Sequence, residues 1–368
     1  MSDARRPDRE ASDPSDLPVG FAGRIVAWQK QHGRHDLPWQ RTRDPYRVWL
    51  SEVMLQQTQV KTVLGHYTRF VERFPDIRVL AAAAPGDVLA AWSGLGYYGR
   101  ARNLHRCAQR VVAEHGGAFP RTSEALALLP GIGRSTAAAI AAFCFGERAA
   151  ILDGNVRRIL ARVLAFDRDL ADPRSERALW SAATALLPAD DIEAYTQGLM
   201  DVGATLCRAR APHCLLCPVQ ALCAAARSAT QERFPVKSRR LVRGRRDNVW
   251  LELCHRDEIF LVERDASGVW AGLWSLPELD SLAELDVLVA AWPGIRVQRP
   301  SFVHVLTHFD WHLQPVRWTF PTPTPARALA PMLARWPRGR WFVPDDALAL
   351  GLPAPLRKRL QAIAAVDA

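Results

Sequence analysis

No apolar run in the 368-residue chain is long enough to cross a membrane. The longest, "AAAIAAFCF", falls well short of the ~20 residues a spanning helix needs. The opening stretch "MSDARRPDREASDPSD" has no apolar signal core, so residues 1–18 are expected to be a disordered leader on a cytoplasmic protein without a membrane partner. Beyond that leader there is neither low-complexity sequence nor an internal repeat. β-branched alternation is scarce from residue 19 to 228, which argues against strands there. Cysteine is sparse, seven in all. Cys107, Cys144 and Cys254 stand singly in apolar surroundings, as small core residues do, and disulfides are not expected in a cytosolic chain.

What is present is positive charge. Lys and Arg total 48 against 38 acids, a net charge of +10, with a pI near 9.7. That points toward a polyanionic partner without identifying it. The hydrophobic fraction of 49% is that of a globular protein, and the length allows two or three domains.

Residues 19–228 read as helical: apolar residues recur at three and four, with marked helix starts. In "RDPYRVWLSEVMLQQ" Asp44 is the expected N-cap and Pro45 the first helical residue, with Val48, Glu52 and Leu55 on one face; Thr58 is expected to cap the next helix. Residues 229–247 break the pattern with a Lys/Arg run from Lys237 to Arg246 that contains no acid, and read as a basic linker. Beyond it the period changes. "VWLELC" and "IFLVER" read as a hairpin, "WHLQPVRWTF" as a strand and "APLRKRLQAIAAV" as a closing helix, making 248–368 a separate α+β domain.

Four motifs carry chemistry. Cys207, Cys214, Cys217 and Cys223, at gaps of six, two and five, can converge on one centre. On ligand chemistry alone zinc and an iron–sulfur cluster are both admitted, and zinc is the commoner occupant of a generic four-cysteine site. "LPGIGRST" (129–136) has the shape of a helix-hairpin-helix turn: Gly131 and Gly133 allow close backbone approach, and free N–H groups at the following helix start face an anion such as a DNA phosphate. An ordinary helix corner reads the same way. Asp153 in "ILDGNVRRIL" reads as an N-cap when taken alone, and Glu52 as a solvated helix carboxylate.

Taken together and in order, "LSEVMLQQTQV", "GLGYYGRARNL", "LPGIGRST", "LDGNV" and C-x6-C-x2-C-x5-C resemble the helix-hairpin-helix DNA glycosylases that end in a four-iron four-sulfur loop, and among them the MutY-type adenine DNA glycosylases. The resemblance runs from about residue 19 to the C-terminus. It implies an all-α glycosylase domain at 19–228, made of a six-helix barrel module and a cluster module, with the iron–sulfur loop at 207–223, followed by a MutT-like (Nudix-like) domain. It implies that adenine is flipped out of duplex DNA and hydrolysed, with Glu52 as the acid that protonates the base, Asp153 as the carboxylate that stabilises the sugar cation, and Asn155 in support. Trp39 is implied as a wall of the base pocket and Gln57 and Tyr97 as wedges into the duplex, with Thr58 and Leu95 beside the opposing base. Arg100 and Arg102 are candidate phosphate contacts, and Arg208 and Arg210 lie on the cluster loop.

The implied partner is duplex DNA bearing adenine opposite 8-oxoguanine or guanine, met by a monomer active at a bacterial nucleoid. Leu306-Thr307-His308 stands where the family has Phe-Ser-His, so Thr307 and His308 are the implied lesion readers. "DSLAELDVLVAAW" lacks the glutamate-rich run of a nucleotide hydrolase, so recognition without hydrolysis is expected. Lyase-type relatives carry a lysine where this chain has Ser135, which implies a monofunctional enzyme. A bifunctional lyase, a non-catalytic DNA-binding module and a nucleotide-pyrophosphate hydrolase are the competing readings.

Overall fold

The computed structural model describes residues 17–238 and 242–364. The expected leader lies mostly in 1–16, outside the described residues, as does the 239–241 part of the basic run. The chain divides into two compact units, one formed by residues up to Tyr67 together with Cys107–Arg240, the other by Thr68–Arg106 together with Leu241 onward.

Twelve helices precede the first strand among the described residues: α1 (Phe21–His32), α2 (Pro45–Leu55), α3 (Val60–Arg73), α4 (Ile77–Ala82), α5 (Pro85–Ala91), α6 (Gly99–His115), α7 (Ser123–Leu126), α8 (Arg134–Phe145), α9 (Gly154–Val163), α10 (Pro173–Ala185), α11 (Ile192–Thr205) and α12 (Ala224–Arg227). The first unit is helical throughout. Its core joins Phe21 and Ile25 of α1 to Ile159 and Leu160 of α9 and to Leu199 and Val202 of α11. α1 lies against α11 so closely that a Cβ on Gly198 would sit 2.7 Å from the Ile25 side chain, so a glycine is needed there.

Local chemistry sets the helix ends. Asp44 caps α2 by accepting from Tyr46 N at 3.0 Å, with Pro45 in the first turn, as the sequence indicates. α3 opens one residue later than Thr58 would place it: the Gln59 carbonyl accepts from Thr62 N (3.0 Å) and Val63 N (3.1 Å), while the Thr58 hydroxyl donates back to Gln56 O. α8 is alanine-rich because it is enclosed: Ala137 through Ala142 are all buried. It ends where Gly146 turns left-handed (φ 69°) and the Gly146 and Glu147 amides donate to Ala142 and Ala141.

Two features of organisation differ from the expected layout. Residues 229–238, expected as linker, fold onto the first unit: Phe234 is buried and the Val236 carbonyl accepts from Leu170 N at 3.1 Å. Residues 68–106 group with the C-terminal segment. There Tyr98 OH donates to Leu352 O (2.9 Å), Ser93 Oγ to the same oxygen (3.2 Å), and Arg102 to Ala271 O (2.9 Å). Such bonds join residues far apart in sequence and leave no local pattern.

The second unit contains an eight-stranded mixed sheet: β1 (Gly244–His255), β2 (Glu258–Glu263), β3 (Trp274–Ser275), β4 (Glu278–Leu279), β5 (Ile295–Gln298), β6 (Phe302–Val305), β7 (Phe309–Phe320) and β8 (Gly339–Phe342). β1 and β7 run parallel from Gly244↔Phe309 to His255↔Phe320, and the other pairings are antiparallel, including the expected β1–β2 hairpin. Alternation sends Val249, Leu251 and Leu253 to one face, where they pack on α13 (Leu282–Val289) and α14 (Ala326–Arg335). Glu252, on the other face, is wholly buried between Arg317 and Arg359. Arg359 lies on the closing helix; this helix follows α15 (Pro344–Leu348) and is α16 (Ala354–Ala364). No helix among the described residues is long and apolar enough to cross a membrane.

Candidate active site

The two candidate catalytic carboxylates both lie in the first unit, in opposite environments. Glu52 sits in the third turn of α2 and lines an open pocket of about 830 Å³ with Gln29, Arg34, Trp39, Val48 and Phe143. By surface area the residue is only half-buried, but its carboxyl end is surrounded by protein, and that end governs proton affinity. Burial, helped by the negative charge of Asp153, pushes its pKa up from 4.5 to about 8. No hydrogen bond from a described residue stabilises its anion. Asp153 is instead the N-cap of α9: one carboxylate oxygen accepts from Asn155 N and Val156 N, both at 2.8 Å. It therefore sits at the positive end of the helix, where a negative charge is favoured. The N-cap reading and the catalytic reading of this aspartate are compatible in one geometry.

Trp39 is buried on a short 3-10 turn, edge-on to Tyr67 with centroids 5.2 Å apart, and forms part of the pocket wall. Asn155 faces Gly203 of α11, where a Cβ would come within 2.6 Å of the asparagine Cβ. The asparagine's Oδ1 accepts from Arg158 at 2.8 Å, and Arg158 also donates to Gly203 O (2.8 Å) and Cys207 O (2.7 Å). Arg158 and Gly203 thus hold the site from behind. Sequence reasoning missed both, because an arginine in an amphipathic helix and a glycine in a helix carry no distinctive local signal. The buried pair of Asp201 with Arg34 beside the pocket was missed for the same reason.

In "LPGIGRST" Gly131 adopts φ 77°, which requires glycine, while Ile132 is buried and anchors the turn. Gly133 begins α8 with an ordinary φ of −81°, and no side chain caps the first-turn amides. Those uncapped amides, beside the open space around Gly133, suit an incoming anion. The Ser135 hydroxyl is turned inward: it accepts from Leu152 N at 3.0 Å, tying the hairpin helix to the residue before Asp153.

Gln57, in the first unit, and Tyr97, in the second, both hold left-handed backbone, φ 58° and 47°. Neither is a glycine, and Tyr97 is half exposed. Backbone strain of this kind concentrates at functional positions. Thr58 stands beside Gln57, while Leu95 is buried. Thr307 and His308 are exposed at the tip of the β6–β7 hairpin, closed by Leu306 N to Phe309 O at 3.0 Å. Within the second unit the Tyr97 hydroxyl stands 3.5 Å from that of Thr307. Arg100 and Arg102 both make bonds within the second unit. Arg100 donates to Leu95 O and Gly96 O beneath the Trp92 and Tyr97 rings, and Arg102 donates to Ala271 O. The acids of α13 are likewise committed, Glu284 to Arg335 and Asp286 to Arg296.

Cys207, Cys214, Cys217 and Cys223 are free and line one small cavity. They lie near enough for the other three to help burial push the Cys217 thiol up to about 11. Among the described residues no three His, Cys, Asp or Glu side chains are drawn to ligand distances around a metal. The surroundings nonetheless suit a thiolate-bound centre, since N–H groups of Arg162 and Gln231 reach Cys207 Sγ (3.3 Å) and Cys214 Sγ (3.4 Å).

The HhH-GPD superfamily of base excision DNA repair proteins matches residues 50–184, and the NUDIX domain family matches residues 248–362. An adenine DNA glycosylase of Buchnera aphidicola subsp. Acyrthosiphon pisum is 32% identical over 345 residues, 93% of this chain and 97% of its own. The adenine DNA glycosylase of Homo sapiens is 43% identical over 225 residues, 59% of this chain and 41% of its own. Among solved structures, a thermostable thymine-DNA glycosylase superposes with a TM-score of 0.50 at 29% identity, covering 56% of this chain and 95% of that one. The chain belongs to the adenine DNA glycosylases, enzymes of the HhH-GPD superfamily acting in base excision repair, and carries a C-terminal NUDIX domain.

Proposed function

We propose that this glycosylase hydrolyses the N-glycosidic bond of adenine paired with 8-oxoguanine or guanine in duplex DNA, acts as a monomer and leaves an uncut abasic strand. The observation that carries the proposal is the division of labour between Glu52 and Asp153. Glu52, with its pKa near 8, holds a proton at neutral pH and can give it to a ring nitrogen of adenine, so the base departs neutral. The Asp153 carboxylate, held by two amides, offsets the charge that develops on the sugar. One protonated and one ionised carboxyl is the arrangement of glycoside hydrolysis generally. Trp39 walls the base pocket, and Asn155 holds the Asp153 turn. Gln57 and Tyr97 replace the lost stacking, a cost of a few kcal/mol per step. Thr58 and Leu95 flank the opposing base.

The serine at 135 supports the monofunctional reading, since its hydroxyl can form no imine and is already spent on Leu152 N. The 3.5 Å approach of Thr307 to Tyr97 supports the hairpin tip, with His308, as the reader of the opposing base. The four cysteines hold one four-iron four-sulfur cluster, whose role is to fix the loop bearing Arg208 and Arg210. Duplexes with adenine opposite 8-oxoguanine, adenine opposite guanine, or thymine glycol, assayed with and without alkali and with borohydride, test the proposal. Adenine release with nicking only after alkali is expected. Alkali-independent nicking with a trapped covalent complex would overturn it and direct attention to Lys30, which lines the pocket.

A further inference from the structure

Among the described residues three charged side chains are at most 2% exposed: Arg162, Asp201 and Glu252. Two of them have partners of opposite charge, Asp201 with Arg34 and Glu252 with Arg317 and Arg359. Arg162 has no acid within ion-pair distance among the described residues. A buried cation without an anion is strongly disfavoured, and the groups around this one are backbone carbonyls and the Cys207 sulfur.

The guanidinium makes its bonds at both ends of the cysteine loop. Nη1 donates to Cys207 Sγ (3.3 Å) and Arg208 O (2.7 Å), and Nη2 donates to Ala209 O (3.1 Å), all at the first cysteine. Nε donates to Gln231 O (2.9 Å), eight residues past the last cysteine, and the Gln231 side chain donates in turn to Cys214 Sγ (3.4 Å). Arg162 also lines the cavity the four cysteines share.

We propose that Arg162 is the positioning residue of the four-cysteine centre, the buried counter-charge for its thiolates and, with Gln231, the source of the N–H···S bonds that set its reduction potential. The inference rests on the cluster reading above. Four thiolates on a four-iron four-sulfur core carry net negative charge, which an adjacent cation neutralises. Hydrogen bonds to the sulfurs favour the more reduced, more negative state and so raise the potential. The same side chain pins the loop at and just after its first cysteine and again beyond its last.

The test measures iron and sulfide per chain and the cluster midpoint by protein-film voltammetry, in the full chain and in Gln231→Leu, Arg162→Lys and Arg162→Leu. Gln231→Leu should retain its iron and shift the midpoint to more negative values. Arg162→Lys keeps the charge but loses the fork, and should retain most of the iron with a larger negative shift. Arg162→Leu should lower bound iron about tenfold, as loss of groups that orient metal ligands commonly does. If Arg162→Leu does not fold, the other two midpoints decide. Unchanged midpoints in Gln231→Leu and Arg162→Lys, or full iron in Arg162→Leu, would overturn the inference while leaving the cluster reading intact. Zinc without iron in the parent chain would instead overturn the cluster reading, and the inference with it, before any variant is compared.

Discussion

Glu52 and Asp153 are the same functional group in two regions of one unit, and their surroundings give them opposite states. The α2 region offers Glu52 a pocket wall and no hydrogen bond from a described residue, so its neutral acid is the stable form. The start of α9 offers Asp153 two amides at 2.8 Å and the positive end of a helix dipole. The second charge reinforces the difference, since Asp153 ionised makes Glu52 harder to ionise. What assigns acid and anion is therefore backbone geometry and solvent access, more than the identity of the residue.

The largest expected effects come from removing either carboxyl. Asp153→Asn retains a good N-cap, so folding and DNA binding should persist, while single-turnover excision should fall on the order of 10³-fold. Excision near the parent rate would remove Asp153 from the chemistry. Glu52→Gln should cost roughly 10²- to 10⁴-fold by loss of the transferable proton. In the parent, kcat/KM for excision should decline as pH rises through about 8, where Glu52 ionises.

The same shift makes a stability prediction of definite sign. The folded-state pKa lies above the unfolded value of 4.5, so the folded chain holds a proton the unfolded chain has released. Stability attributable to this group is thus complete below pH 4.5 and is lost as pH rises toward 8. Glu52→Gln should abolish that slope and make the inactive variant more stable near pH 8, by up to about 4 kcal/mol. Denaturant melts at pH 5 and pH 8 measure it, and equal slopes in parent and variant would contradict it.

Smaller effects probe the support of the Asp153 region. Gly203→Ala would place a Cβ 2.6 Å from that of Asn155, and should cost about 1–3 kcal/mol of stability with a larger loss in excision than in DNA binding. A loss in binding alone would deny Asn155 its supporting role. Ser135→Ala leaves Leu152 N without its acceptor and should cost about 1 kcal/mol; Ser135→Lys should add borohydride-trapped complex that the parent lacks.

Much of this site was legible in sequence. The cysteine spacing, the glycines of the hairpin and the capping signature at Asp44 are local patterns, while the two carboxylates stand out only through the order in which the motifs occur. What was not legible depends on distant contacts. The grouping of residues 68–106 with the C-terminal segment rests on bonds such as Tyr98 to Leu352. Arg162 looks like any arginine on an amphipathic helix until the loop at 207–209 closes over it. Charge on Arg100 and Arg102 suggests the surface, whereas each also reaches back to a backbone carbonyl, Leu95 O and Ala271 O. Gln59 in place of Thr58 at the start of α3 reflects a left-handed turn at Gln57, which the sequence does not announce.

The protonation state of Glu52 at neutral pH is the centre of the account, and difference infrared spectroscopy of the parent against Glu52→Gln across pH reads it directly. A protonated carboxylic C=O band, absent from the variant, should persist at pH 7 and disappear with a midpoint near 8. A midpoint between about 4 and 5, the range of an ordinary glutamate, would contradict it.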